Sequence, residues 1–138
     1  MMFKDALKRN HWFRNKIEVK KSSVHGLGVF ATCDIARHTC IELAPILCFH
    51  KDTMDELGMH TLNDYVFSWI DAQVVIALGY GSLYNHSNDA SNVSFQMRTH
   101  LPGIEFITKR DIRKGEELLT HYRRGHADVE FTPGGSII

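Results

Sequence analysis

From Ile17 onward the chain never sustains a helical period. Its apolar residues come in short, β-branched runs at 17–20, 28–31, 40–49, 73–78, 92–97, 104–108 and 117–120, each broken by turn-forming residues. Short runs of this kind cannot bury a long helical stripe, so they must pair with one another. The expectation is a mostly β fold with short helices, assembled from several small sheets. Residues 3–14 offer one short amphipathic helix, with Phe3, Leu7 and Trp12 toward its apolar side. Leu101-Pro102-Gly103 lies between two strand-like runs, so 92–97 and 104–108 read as a hairpin closed by a Pro-Gly turn. Gly58 and its polar neighbours mark a loop. The stretch from Phe30 to Ile35 is echoed from Phe106 to Ile112, each after a strand, which is shared turn chemistry rather than a repeat architecture.

With 138 residues, 43% of them hydrophobic, the chain can build one core without metal or disulfides. Basic and acidic residues both number 16, so no global field draws the protein to nucleic acid or an anionic membrane, and any basic ligand must be recognised locally. Direct nucleic-acid binding is not expected. Cys33, Cys40 and Cys48 contain no C-x-x-C pair and read as reduced thiols. No apolar run approaches the roughly 18 residues of a membrane span, and the segment before Arg14 lacks a secretory apolar region, so a soluble intracellular protein of cytoplasm or nucleus is expected. The nine histidines include no H-E-x-x-H pair; a small histidine-rich metal protein therefore lacks its ligand spacing, and no metal is expected.

Three segments carry chemistry. Gly26-Leu27-Gly28 stands between two strands, where it is either a plain turn or a place where backbone can approach a ligand without a Cβ in the way. No third glycine and no helix follow, so it is not a dinucleotide fingerprint. Between Gly79 and Ser87, glycines and tyrosines lead into Asn85-His86-Ser87. This stretch is either a polar turn whose side chains bond nearby backbone or a binding segment. A hydrolase reading with Ser87 as nucleophile and His86 as base fails, because adjacent side chains point apart and no G-x-S-x-G elbow is present. Finally, Gly115-Glu116-Glu117-Leu118 opens a short strand leading to Tyr122, which is either a half-buried edge tyrosine or a site residue.

In this order the segments resemble the SET-domain family of protein-lysine methyltransferases. The resemblance runs from about Ile17 to Tyr122, through His25-Gly26-Leu27-Gly28-Val29-Phe30-Ala31, Asp64-Tyr65, Asn85-His86-Ser87 with Asn92 just beyond, and Gly115-Glu116-Glu117-Leu118 leading to Tyr122, and the chain is similar to the compact viral and bacterial members. It implies a SET-domain fold of several small sheets with a C-terminal pseudoknot. Residues 1–16 would form an N-terminal extension, 17–123 the catalytic domain and 124–138 a tail that closes the lysine channel. The implied cofactor is S-adenosyl-L-methionine, with Gly26, Leu27, Gly28, Asn85 and His86 around it, Tyr65 bordering both cofactor and lysine channel, and Tyr122 catalytic. The implied substrate is a protein with an accessible lysine, such as a histone tail. Two departures stand out: Asn88-Asp89-Ala90-Ser91 replaces the family's usual approach to the later asparagine, Asn92, and no cysteine follows Cys48 to build a zinc segment over the channel. The tail, with Val129 and Phe131, or a second copy in a homodimer is the expected cover. A SET-like module that has lost turnover and serves as a scaffold is the competing reading.

Overall fold

A computed structural model of the chain describes residues 16–58, 65–98 and 103–121. The expected helix over 3–14, the Leu101-Pro102 part of the hairpin turn, Tyr122 and the tail 124–138 lie outside the described residues. Among the described residues nine strands form: β1 (Ile17–Lys21), β2 (Leu27–Ala31), β3 (Cys40–His50), β4 (Val66–Ser68), β5 (Gln73–Ala77), β6 (Asn85–His86), β7 (Val93–Arg98), β8 (Gly103–Thr108) and β9 (Glu117–Thr120). Helix α1 (Lys51–Leu57) and a 3-10 turn (Gly81–Leu83) complete the described elements. Every run anticipated as a strand is one, with ends shifted by a single residue at most.

The alternation of side chains along paired strands makes the core. In the β7/β8 hairpin, Val93, Phe95 and Met97 face Thr108, Phe106 and Ile104 across the ladder, and all six are buried. Strand β3 pairs with β8 through its first half and with β5 through its second, so one long strand joins two small sheets. A register shift between Cys40 and Glu42 lets consecutive residues Ile41 and Glu42 both turn inward, as a β-bulge does. Tyr84 stacks on Phe106 with ring centroids 4.3 Å apart, and Phe67 meets Phe95 edge-on at 5.3 Å.

Where the sequence marks only a loop around Gly58, the structure has α1, and Gly58 is its C-cap. The helix is short and buries Met54 alone among its described side chains, so it carries no apolar stripe to betray it. Its ends supply the stability that packing does not. The His50 side chain accepts from Asp52 N at 3.2 Å, and Gly58, at φ 61°, returns its N–H to Asp55 and Met54 carbonyls. The echoed segments also meet: Ile35 and Ile112 exchange both backbone hydrogen bonds at 2.8 Å.

The placement of β9 matters most for the site. It pairs antiparallel with β2 on one side, while β6 and the first residue of β7 pair parallel to it on the other. The chain from 85 to 93 therefore lies along one edge of a strand that follows it by more than 20 residues in sequence. A late strand inserted between β2 and β6 is what the expected pseudoknot requires.

Candidate active site

The Gly26-Leu27-Gly28 turn and Asn85 are brought into direct contact. The Asn85 amide nitrogen donates to the carbonyl oxygens of His25 at 2.9 Å and Leu27 at 3.0 Å, and to Glu117 Oε1 at 2.9 Å. Three acceptors share two protons, and their agreement fixes which way the amide points. Its oxygen accepts from none of the described residues and stays available as an acceptor. Asn85 is 8% exposed, so this junction lies at the inner edge of the surface rather than on it.

Gly28 is required for the approach. A Cβ there would stand 3.0 Å from the Asn85 amide nitrogen and collide with Glu117 Oε1, so the carboxylate keeps its place only because residue 28 has no side chain. Gly26, at φ 44°, adopts a left-handed conformation that L side chains rarely enter, with open space where its Cβ would lie. Leu27 between them is 54% exposed, so it meets Asn85 through its backbone carbonyl and not through a buried side chain.

Asn85 and His86 owe their strand conformation to β9, pairing with Leu119 and Thr120, and Ser87 N continues the ladder to Thr120 O at 3.0 Å. The His86 Nε2 lies 2.7 Å from Asn88 Oδ1. An amide oxygen only accepts, so that ring nitrogen carries a proton. On its other flank the His86 ring tilts against His121, with centroids 5.2 Å apart. Tyr65, 38% exposed, sits just before β4, where its carbonyl accepts from Ser82 Oγ at 2.9 Å. This bond ties Tyr65 to the 3-10 turn, four residues before His86 in sequence, and not directly to the Asn85 junction. Tyr122 follows His121 in sequence and lies outside the described residues.

Several residues of the site carry no role in the sequence reading. Asn92, 2% exposed, donates from its side chain to Glu117 O at 2.9 Å and accepts from Leu119 N at 2.8 Å, so the altered 88–92 loop still delivers an asparagine onto β9. Glu42 is fully buried, accepting from Tyr80 N at 2.8 Å and from Tyr84 Oη at 3.0 Å, directly before Asn85. A buried carboxylate must be bonded in this way to be tolerated. Its signal was present: one acidic residue inside the apolar run Ile41-Glu42-Leu43-Ala44. Glu117 was visible within Gly115-Glu116-Glu117, but not its contact with Asn85, which spans 32 residues. Among the described residues no group of three or more His, Cys, Asp or Glu side chains could hold a metal ion, and no helix is long and apolar enough to cross a membrane.

Comparison with known proteins agrees with this geometry. The SET domain family model matches residues 26–123. A histone-lysine N-methyltransferase of Schizosaccharomyces pombe, specific for H3 lysine-37, is 36% identical over 110 residues, covering 79% of this chain and 74% of its own. The crystal structure of a Plasmodium falciparum protein described as a histone methyltransferase superposes with a TM-score of 0.64 at 29% identity, over 80% of this chain and 96% of that one. CpSET8 of Cryptosporidium gives 0.58 at 25% identity, over 78% of this chain and 57% of that one. The chain belongs to the SET domain family and is a protein-lysine methyltransferase.

Proposed function

We propose that this enzyme transfers a methyl group from S-adenosyl-L-methionine to a lysine of a basic protein tail, that of a histone. The observation that carries the cofactor assignment is the Asn85 junction. Its amide spends both protons on the Gly26 to Gly28 turn and Glu117, and this leaves an oxygen to accept from a charged amino group. The methionine end of the cofactor carries such a group. The open space beside Gly26 suits close approach of a ligand to backbone. In this reading Gly26, Leu27 and Gly28 wall the methionine portion, Asn85 and His86 hold the amino group and adenine, and Tyr65 borders both cofactor and lysine channel.

When bound, S-adenosyl-L-methionine supplies an electrophilic methyl group on a positively charged sulfur. The protein's task is then to hold the lysine nitrogen neutral, aligned and away from water. A free lysine has a pKa of about 10.4, so few side chains are ready at neutral pH. A narrow channel of apolar and tyrosine side chains disfavours the ammonium form and needs no dedicated carboxylate. Tyr122 is the group we assign to orient that nitrogen. Similarity to the fission-yeast H3 lysine-37 enzyme supports a histone substrate, and we place the enzyme in the nucleus or cytoplasm accordingly.

The direct test is calorimetric titration of S-adenosyl-L-methionine. Asn85→Ala is expected to weaken binding by roughly tenfold or more, from loss of an acceptor to a charged group. Unchanged affinity in a folded variant sinks the assignment. Labelled cofactor with a histone panel then identifies the substrate, and labelling of other proteins but no histone removes the histone part. Cofactor binding with no labelled protein at all favours the scaffold reading.

We also assign 17–123 as the catalytic unit, 1–16 as an extension and 124–138 as the cover of the lysine channel. Deleting residues 126–138 is expected to cut turnover while cofactor affinity persists. Unchanged kinetics would transfer that role to a second copy of the chain, which sedimentation at working concentration detects.

A further inference from the structure

We infer that Glu117 is a positioning residue for cofactor binding: its carboxylate fastens the Gly26 to Gly28 turn and Asn85 into one preformed wall. The inference rests on the assignment of that wall to the cofactor made above. Glu117 is not among the groups assigned to touch the ligand, and its effect passes through those that are.

One carboxylate grips the turn at both ends. Ser22 Oγ donates its single proton between Oε1 at 2.7 Å and Oε2 at 2.9 Å, and Oε1 also accepts from Asn85 Nδ2 at 2.9 Å. Ser22 in turn shapes the chain after it. Its hydroxyl oxygen accepts from Val24 N at 2.9 Å, and its own N–H reaches Gly26 O at 2.8 Å. Asn85 secures the far end through the carbonyls of His25 and Leu27. Ser22, the turn and Asn85 thus converge on one acceptor group.

A carboxylate suits this position because it only accepts, offers two oxygens to donors arriving from two directions, and makes stronger bonds than a neutral group. Gly28 leaves the space in which it sits, since a Cβ would collide with Oε1. The Glu117 backbone is itself held, paired with Phe30 and bonded at its carbonyl by Asn92. Burial cannot do the same work: Val24 is 53% and Leu27 54% exposed. Polar ties, not packing, hold this turn in shape.

Loss of the carboxylate lowers the fraction of molecules whose turn is ready, and apparent affinity falls by that fraction while saturating ligand restores the competent state. Glu117→Ala is therefore expected to raise the dissociation constant and KM for S-adenosyl-L-methionine by roughly 10-fold to 100-fold, from loss of bonds to a charged acceptor. Its kcat at saturating cofactor should stay within about twofold. A general loss of folded protein would do the reverse, lowering kcat with KM unchanged. Glu117→Gln can accept from Asn85 and donate to Ser22, so it should recover most of the affinity.

The experiment titrates S-adenosyl-L-methionine into the full chain as wild type, Glu117→Ala, Glu117→Gln and Asn85→Ala, with steady-state kinetics beside it. Ser22→Ala, on the turn itself, is the second variant should Glu117→Ala fail to fold, and it should shift KM in the same direction. Gly28→Ala provides a coupling test: its penalty should shrink in the Glu117→Ala background, where the colliding oxygen is gone. If Asn85→Ala weakens binding while Glu117→Ala and Ser22→Ala bind like wild type, the inference is overturned and the cofactor assignment stands. If Asn85→Ala also binds like wild type, the assignment falls and takes the inference with it.

Discussion

Tyr122→Phe is expected to lower kcat by roughly 100-fold or more while cofactor affinity stays near wild type, because loss of alignment alone costs about that much in a reaction governed by positioning. The change removes one oxygen and keeps the ring. The wall we assign to the cofactor is built from backbone at 25–28 and from Asn85, which are joined to each other without Tyr122. A phenol that orients the lysine nitrogen therefore affects turnover and not binding of the methyl donor. Single-turnover methylation of the protein substrate that the labelling panel identifies, measured beside calorimetric affinity, separates the two. A variant with wild-type turnover would remove Tyr122 from the catalytic role, and one that loses cofactor binding would make it part of the wall instead.

The second large effect is on stability. Asn92→Leu is expected to destabilise the fold by about 1–3 kcal/mol, since two part-buried backbone groups lose hydrogen bonds worth roughly 0.5–1.5 kcal/mol each. Asn92 acts as a side-chain extension of the sheet. It donates to Glu117 O and accepts from Leu119 N, on the same edge of β9, while its own N–H bonds Leu119 O at 2.9 Å. Leucine has similar bulk and offers neither partner. The measurement is the guanidinium midpoint, which should fall with the slope unchanged. A loss below about 0.5 kcal/mol, less than one lost hydrogen bond costs, would show that water or a rearranged loop replaces the amide. Because Asn92 also fixes the Glu117 backbone, weakened cofactor binding should accompany the loss.

Much of the fold was legible because the long strands advertise themselves. Val93, Phe95 and Met97 alternate with polar partners in a way that only a half-buried strand explains, and Ile104, Phe106 and Thr108 answer them. The short elements did not advertise. β6 is two polar residues, Asn85 and His86, whose extended backbone comes from pairing with Leu119 and Thr120 and not from any propensity of their own. β4 is three residues long, and α1 is held by its caps at His50 and Gly58. The bulge that turns Glu42 inward is likewise invisible locally, because it arises from register against β8.

The same division runs through the site. Residue types and their order along the chain determined by themselves that glycines at 26 and 28, the Asn85-His86 pair and the segment leading to Tyr122 belong to a SET domain. A glycine announces a backbone that must turn or be approached, and that requirement is local. Which groups meet across the turn is not local. The Ser22 hydroxyl and the Glu117 carboxylate lie 95 residues apart in sequence and 2.7 Å apart in space, and Asn85 joins them only because β9 is threaded between β2 and β6. Hydrogen bonding at this range depends on ångström-scale placement, and only the tertiary structure supplies it.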